Sequence, residues 1–291
     1  MKSDQMVVAP FCFDAIHAKI AQRVGFECIY MTGMGTAAAR GYPDLGLLTE
    51  SEMVQNARYV ANAVDMPVVA DADTGYGNPI NVRRTVRDYE DAGVAGIHIE
   101  DQVFPKRCGF FEGKEVVPTE DHVQRVRAAV DARRDADFVI IARVDSLAVT
   151  GWDDTILRAH AYRQAGADMV FVDGIRTLDD LQTYARVLDG VPRLYNGMLL
   201  PASRIQELGF KLMIAGGTLR VISHAVTAAF QELRTAGTMT FDPFGDHEVS
   251  FVELMGTSDA LEMARQYGAH KTDVSSTRIE GSSVVDQSSG V

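Results

Sequence analysis

Eight short apolar runs recur along the chain, rich in β-branched residues and each ending in polar or glycine residues. They are Met6-Ala9, Glu27-Met31, Pro67-Ala70, Gly96-Ile99, Phe138-Ala142, Met169-Val172, Arg193-Tyr195 and Lys211-Ile214. Between most of them lie longer stretches with helical spacing. One is Met53, Val54, Ala57, Val60, Ala61 and Val64, opened by the capping-box pattern Thr49-Glu50-Ser51-Glu52. Val123, Val126, Ala129 and Val130 repeat that period. Strands alternating with helices pair in parallel, and about eight such units close a (β/α)8 TIM-type barrel. A doubly wound open sheet is the structural rival.

The polar residues decide between them. In a barrel, chemistry collects where strands give way to the following loops. The strand ends here read Thr32-Gly33-Met34-Gly35, Asp71-Ala72-Asp73, Glu100-Asp101, Arg143-Val144-Asp145, Asp173 and Asn196. The strand starts show no matching pattern, so the set predicts one mouth lined by six strands.

A chain of 291 residues is ordinary for a single barrel. A helix near Thr218-Gln231 is expected to complete it, followed by a loop-like Gly237-Phe244 and one amphipathic helix over Val249-Tyr267. Ser and Gly then dominate. The expectation is one domain over residues 1–270 and a disordered tail over 271–291. The net charge of −12 argues against a nucleic-acid groove or an anionic membrane surface. The apolar runs are strand-sized, and the N-terminal one ends at Pro10, too short for a signal-peptide core. Cys12, Cys28 and Cys108 lack zinc-like spacing and leave an odd thiol, which fits a reducing cytoplasm.

Alternate residues of a strand point the same way, so Asp71 and Asp73 are expected to project together, with Glu100 from the next strand beside them. Three carboxylates held close repel unless a cation intervenes, and the set suits Mg²⁺, or Mn²⁺, bound partly through water. A helix cap plus a solvated pair is the plainer alternative. Arg143, one strand on, can neutralise developing negative charge or simply bridge the carboxylates. Thr32, Gly33 and Met34 offer backbone N–H groups and a hydroxyl for a substrate carboxylate. Cys108, flanked by Lys106 and Arg107, is a candidate acid/base on a mobile loop. His98, set between apolar residues, reads as a satisfied core histidine.

These motifs resemble the isocitrate lyase / phosphoenolpyruvate mutase superfamily, and within it the 2-methylisocitrate lyase branch. The likeness rests on Tyr30-Met31-Thr32-Gly33, Pro43-Asp44-Leu45-Gly46, Asp71-Ala72-Asp73-Thr74-Gly75, Ile97-His98-Ile99-Glu100-Asp101-Gln102, Lys106-Arg107-Cys108-Gly109 and Ile141-Ala142-Arg143. It implies a barrel whose extra C-terminal helix packs on a neighbouring subunit, giving a homotetramer. It also implies Mg²⁺ near Asp71, Asp73 and Glu100, with 2-hydroxy or 2-oxo acids as substrates.

The resemblance further suggests Tyr30 or a metal-assisted hydroxide as the base, Arg143 as the charge stabiliser and Cys108 as the proton donor. Asp44, Gly109, Asp173, Asn196 and Arg220 complete the expected substrate contacts. Three departures stand out. Phe110 replaces a histidine of the lyases, Asp173 stands for a glutamate, and Met198 and Leu199 stand where the family has Thr-Glu. An apolar distal half would leave a tricarboxylate's extra charge unpaired. The expected activity is therefore a carbon–carbon lyase acting on a substituted malate. An oxaloacetate-type decarboxylase or hydrolase, or an idle metal-binding scaffold, are the alternatives.

Overall fold

The computed structural model describes residues 5–109, 113–239 and 251–268. Its strands are β1 (Val7–Cys12), β2 (Ile29–Met31), β3 (Val68–Asp71), β4 (Gly96–Glu100), β5 (Val139–Val144), β6 (Met169–Val172), β7 (Arg193–Asn196) and β8 (Leu212–Ala215). All pair in parallel in sequence order, and β1 returns to β8 through Val7 opposite Leu212 and Ala9 opposite Ile214. The sheet closes as the predicted barrel, and the open-sheet rival is excluded.

Several helices start where short polar side chains meet free N–H groups. Thr49 and Glu52 cap Glu50–Ala61 reciprocally, Thr177 and Asp180 do the same for Leu178–Val187, and Asn78 caps Pro79–Asp91. The strands are Val- and Ile-rich because both of their faces are covered. One face packs on the helices through residues such as Ile29, Val68, Ile97 and Ala142. The other fills the barrel with Ala9, Cys28, Tyr30, Val69, Ile141, Met169, Phe171, Leu194, Leu212 and Ile214.

That interior set fixes the phase of each strand end. With a period of two, Phe11 follows Ala9 inward, Asp71 follows Val69, Arg143 follows Ile141, Asp173 follows Phe171 and Asn196 follows Leu194. On β4 the matching pair is His98 and Glu100.

The helix Thr218–Ala236 runs past its predicted end to Gly237, whose left-handed conformation caps it. The chain divides into two units, Met1–Gly245 and Asp246–Val291. Within the described part of the second, the single helix read over Val249-Tyr267 is instead two, Phe251–Leu254 and Thr257–Gln266. Gly256, at φ 70°, separates them, since a residue in the left-handed region ends an α-helix. The expected tail lies outside the described residues. No helix among the described residues is long and apolar enough to cross a membrane.

Candidate active site

A cavity of about 50 Å³ lies at the carboxyl ends of the strands. Its wall holds Tyr30, Thr32, Met34, Asp44, Asp71, Cys108, Gly109, Arg143, Asp173 and Asn196, together with Phe11 and Phe171. Gly33 and Asp73 line a smaller adjoining space with Asp44 and Lys106. Glu100 is buried on the neighbouring strand, with Arg143 Nε 3.3 Å from its Oε2. Thirteen of the fourteen site residues read from the sequence thus gather at one mouth; Arg220 does not. Arg220 is exposed in the first turn of Thr218–Ala236 and forms no ion pair among the described residues.

Asp71 anchors the metal-side half. Its Oδ2 accepts the Gly33 N–H at 3.1 Å and its Oδ1 accepts the Asp73 N–H at 3.0 Å. Burial alone would raise its pKa, but His98, Lys106, Arg143 and the Asp73 N–H outweigh that and take it down to about 2. Asp73 turns through φ 45°, a left-handed conformation uncommon outside glycine. Burial pushes its pKa up to about 6, against the pull of Lys106 and with the help of Asp71. Burial likewise holds Glu100 well above the usual carboxylate range.

Lys106 does something the sequence reading did not foresee. Its ammonium contacts Asp44 and stands 2.9 Å from Asp73 Oδ1. It is an internal counter-ion to carboxylates, whereas the reading from sequence had it acting on the thiol. Neither Glu100 oxygen finds a hydrogen-bond donor although both are buried. Such orphaned oxygens suit a hard cation, so the donors fit Mg²⁺ in kind. They are not preassembled: among the described residues no three Asp, Glu, His or Cys side chains stand together closely enough to hold one ion unaided. Water ligands would have to complete the shell.

His98 matches the core reading. It is fully buried, its Nε2 lies 2.7 Å from the Tyr30 hydroxyl and its ring stacks on Tyr30 at 5.6 Å. Burial drives its pKa down to about 4, so the ring is neutral near pH 7. Its place beside Tyr30 had a signal in the sequence, since His98 shares its strand face with Glu100. Burial, followed by the charge of Asp71, holds the Tyr30 phenol well above its ordinary value.

Arg143 links the halves. Its Nη2 donates to Asp173 Oδ2 at 2.8 Å, its Nε donates to Asp145 Oδ2 at 2.8 Å, and its guanidinium lies 5.3 Å from the centre of the Phe171 ring. Asn196 Nδ2 donates to Asp173 Oδ1 at 3.3 Å. Over this cluster sits the segment carrying Cys108 and Gly109. Gln102 clasps the backbone of Arg107 from both sides, and the Cys108 N–H donates to the Asp44 carbonyl at 3.2 Å. Cys108 is buried at the cavity wall. The cavity is small, and Cys108 and Gly109 of the loop form part of its wall.

The distal pocket is revised. Met198 and Leu199 are 63% and 39% exposed and lie outside the cavity wall, while Phe110 falls outside the described residues. The apolar wall is made by Phe11, Met34 and Phe171. Sequence reasoning missed the first and last because each sits in a strand, where an aromatic reads as core.

The phosphoenolpyruvate phosphomutase family pattern matches residues 1–234. The 2,3-dimethylmalate lyase of Eubacterium barkeri is 39% identical over 282 residues, covering 92% of this chain and 95% of the relative. The 2-methylisocitrate lyase of Escherichia coli K12 is 46% identical over 262 residues, covering 87% and 86%. Among solved structures, oxaloacetate acetylhydrolase in complex with 3,3-difluorooxalacetate superposes with a TM-score of 0.87 at 37% identity, covering 93% of this chain and 95% of that one. The chain belongs to the PEP mutase/isocitrate lyase superfamily.

Proposed function

We propose that this barrel is a carbon–carbon lyase that cleaves the C2–C3 bond of a 2-hydroxy diacid with an uncharged C3 substituent, as 2,3-dimethylmalate has. One observation carries the reading: a single cavity brings Cys108, Arg143 and Asp71 against a wall of Phe11, Met34 and Phe171. The coverage by 2,3-dimethylmalate lyase, nearly end to end, supports the same substrate class.

Mg²⁺ or Mn²⁺, held through Asp71, Asp73 and Glu100, would supply Lewis-acid stabilisation to the substrate's C1 carboxylate and C2 oxygen. The Tyr30 phenol donates a hydrogen bond to the C2 oxygen, held in place by its contact with His98. The Thr32 hydroxyl and the Met34 N–H orient the C1 carboxylate, while the Gly33 N–H holds Asp71. Once hydroxide from solvent has taken the C2 hydroxyl proton to become water, the C2–C3 electron pair passes to the departing fragment, and C2 becomes a carbonyl. Arg143 balances the negative charge, and Cys108 delivers a proton to C3. Asp44 and Asn196 keep the loop and Asp173 in register. The test is release of a 2-oxo acid from C3-alkylated malates, assayed with Mg²⁺ present.

The likeness to oxaloacetate acetylhydrolase favours a second reading, hydrolytic cleavage of a 2-oxo diacid. Oxaloacetate as the preferred substrate, with acetate and oxalate as products, would establish it.

Exposed apolar residues support assembly into a homotetramer with an exchanged C-terminal helix. Val221 and Phe230 are exposed on Thr218–Ala236, and Phe251, Met255 and Leu261 in the second unit. Light scattering would test that. Three free cysteines agree with a cytoplasmic setting. Residues 1–270 as one folding domain with 271–291 as a tail is part of the same proposal.

A further inference from the structure

Lys114 and Asp145 have no part in the chemistry above, yet both side chains are sealed from solvent, and Asp145 joins Lys114 to Arg143. Lys114 Nζ stands 2.9 Å from Asp145 Oδ1, with side-chain exposures of 1% and 0%. The same Oδ1 accepts Arg143 Nη2 at 3.1 Å, and Oδ2 accepts Arg143 Nε at 2.8 Å. From behind, the Asp145 N–H donates to Asp101 Oδ1 at 2.8 Å, which fixes the backbone that carries the acid.

Lys114 lies on the returning limb of the loop whose outgoing limb carries Lys106, Cys108 and Gly109. The two limbs are tied at their base, where Gln102 bridges Val116 and the Val103 N–H donates to the Glu115 carbonyl at 2.8 Å. One carboxylate therefore touches both the lid and the guanidinium beneath it. With the lid lifted, Asp145 would place its whole charge on Arg143 and draw the guanidinium toward itself. With Lys114 docked, that charge is shared, and more of Arg143's charge faces the cavity.

We propose that Lys114 and Asp145 are positioning residues: lid docking through Lys114 sets Asp145, and Asp145 aims Arg143, so that Arg143 is fully competent only under a closed lid. The inference rests on the reading of Arg143 as the group that faces substrate charge. It goes beyond that reading by naming what couples Arg143 to the lid.

The experiment compares the full chain with Lys114→Met, Lys114→Arg, Asp145→Asn and the Lys114→Met/Asp145→Asn pair. One arm follows tryptic cleavage after Arg107 without ligand; the other measures kcat and KM on the best C3-alkylated malate. Lys114→Met should speed cleavage about tenfold, since cleavage tracks the open population. It should lower kcat by about tenfold or more with a smaller change in KM, because the positioning acts after binding. Lys114→Arg should restore most of both. The double variant should fare no worse than Asp145→Asn alone, as expected for residues acting in series. Unchanged cleavage, unchanged kcat or additive losses would each overturn the proposal. If the wild-type chain cleaves no diacid, the proposed function fails by itself, and the cleavage arm still decides whether Lys114 holds the lid.

Discussion

A methyl group placed on Gly109 would stand 1.6 Å from Oδ2 of Asp173, so the loop reaches its closed position only because residue 109 has no side chain. Gly109→Ala should hold the lid off the mouth while leaving the barrel core intact. Turnover should fall by about two orders of magnitude, the scale of a misplaced catalytic group. Thermal unfolding should stay near that of the parent. An active Gly109→Ala enzyme would show that closure onto Asp173 is not part of the cycle.

Cys108→Ser should lose about two or more orders of magnitude in lyase turnover, a typical loss for a general acid. Calorimetric titration with substrate should still report binding. Near-normal turnover would shift the balance toward the hydrolytic reading.

Activity should vanish in excess chelator and return with Mg²⁺ or Mn²⁺. Asp71→Ala should abolish turnover with circular dichroism unchanged, since three buried carboxylates share the site with only Lys106 and Arg143 to balance them. Full activity without a divalent cation would refute the assignment.

Specificity constants for a 3-alkylmalate and for methylisocitrate should differ by about a hundredfold or more, the effect of a few kcal/mol. Against Phe11, Met34 and Phe171 an alkyl group gains roughly 25 cal/mol per Å² of burial, whereas a carboxylate there is stripped of water without a partner. Phe11→Ala should lower that ratio more than changes at Met198 or Leu199, which lie outside the wall. The opposite ranking would relocate the pocket.

Acid should destabilise the fold through His122, which is wholly buried with its ring 4.5 Å from that of Tyr162. Burial, aided by Arg125 and Arg158, pushes its pKa down to about 3. The unfolded chain takes up the proton below its ordinary value near 6.5, and the folded chain does not. Stability should thus fall as pH drops from 6.5 toward 3, at about 1.4 kcal/mol per pH unit. Urea unfolding at pH 6.5 and pH 5 should show a shallower loss for His122→Phe, with the parallel contribution of His98 remaining. Identical slopes in the two proteins would count against this account.

All eight strands were legible because each is a short, mostly apolar run between longer stretches of helical period, and Thr49 with Glu52 forms the capping box that its spacing announces. The strand-end residues were legible for the same reason, since a period of two carries Val69 to Asp71 and Ile141 to Arg143. Side-chain direction in loops was not. Lys106 is next but one to Cys108 in sequence but turns to Asp44, 62 positions away, and Lys114 finds Asp145 across 31. Arg220 differs from these: a strand end predicts the mouth, but a helix position can face any way, and Arg220 lies outside the cavity wall.

The two kinds of wall come from different places in the chain. Asp71, Glu100 and Arg143 stand on three consecutive strands, β3 to β5, whereas Phe11 comes from β1, Met34 from the helix Gly33–Ala38 and Phe171 from β6. A substitution at Met34 therefore has no need to disturb the ionic side, whereas Phe171 lies against the Arg143 guanidinium. Such a scaffold can drift between substrates by small steps without passing through an inactive form, and the same separation tells an engineer where to begin.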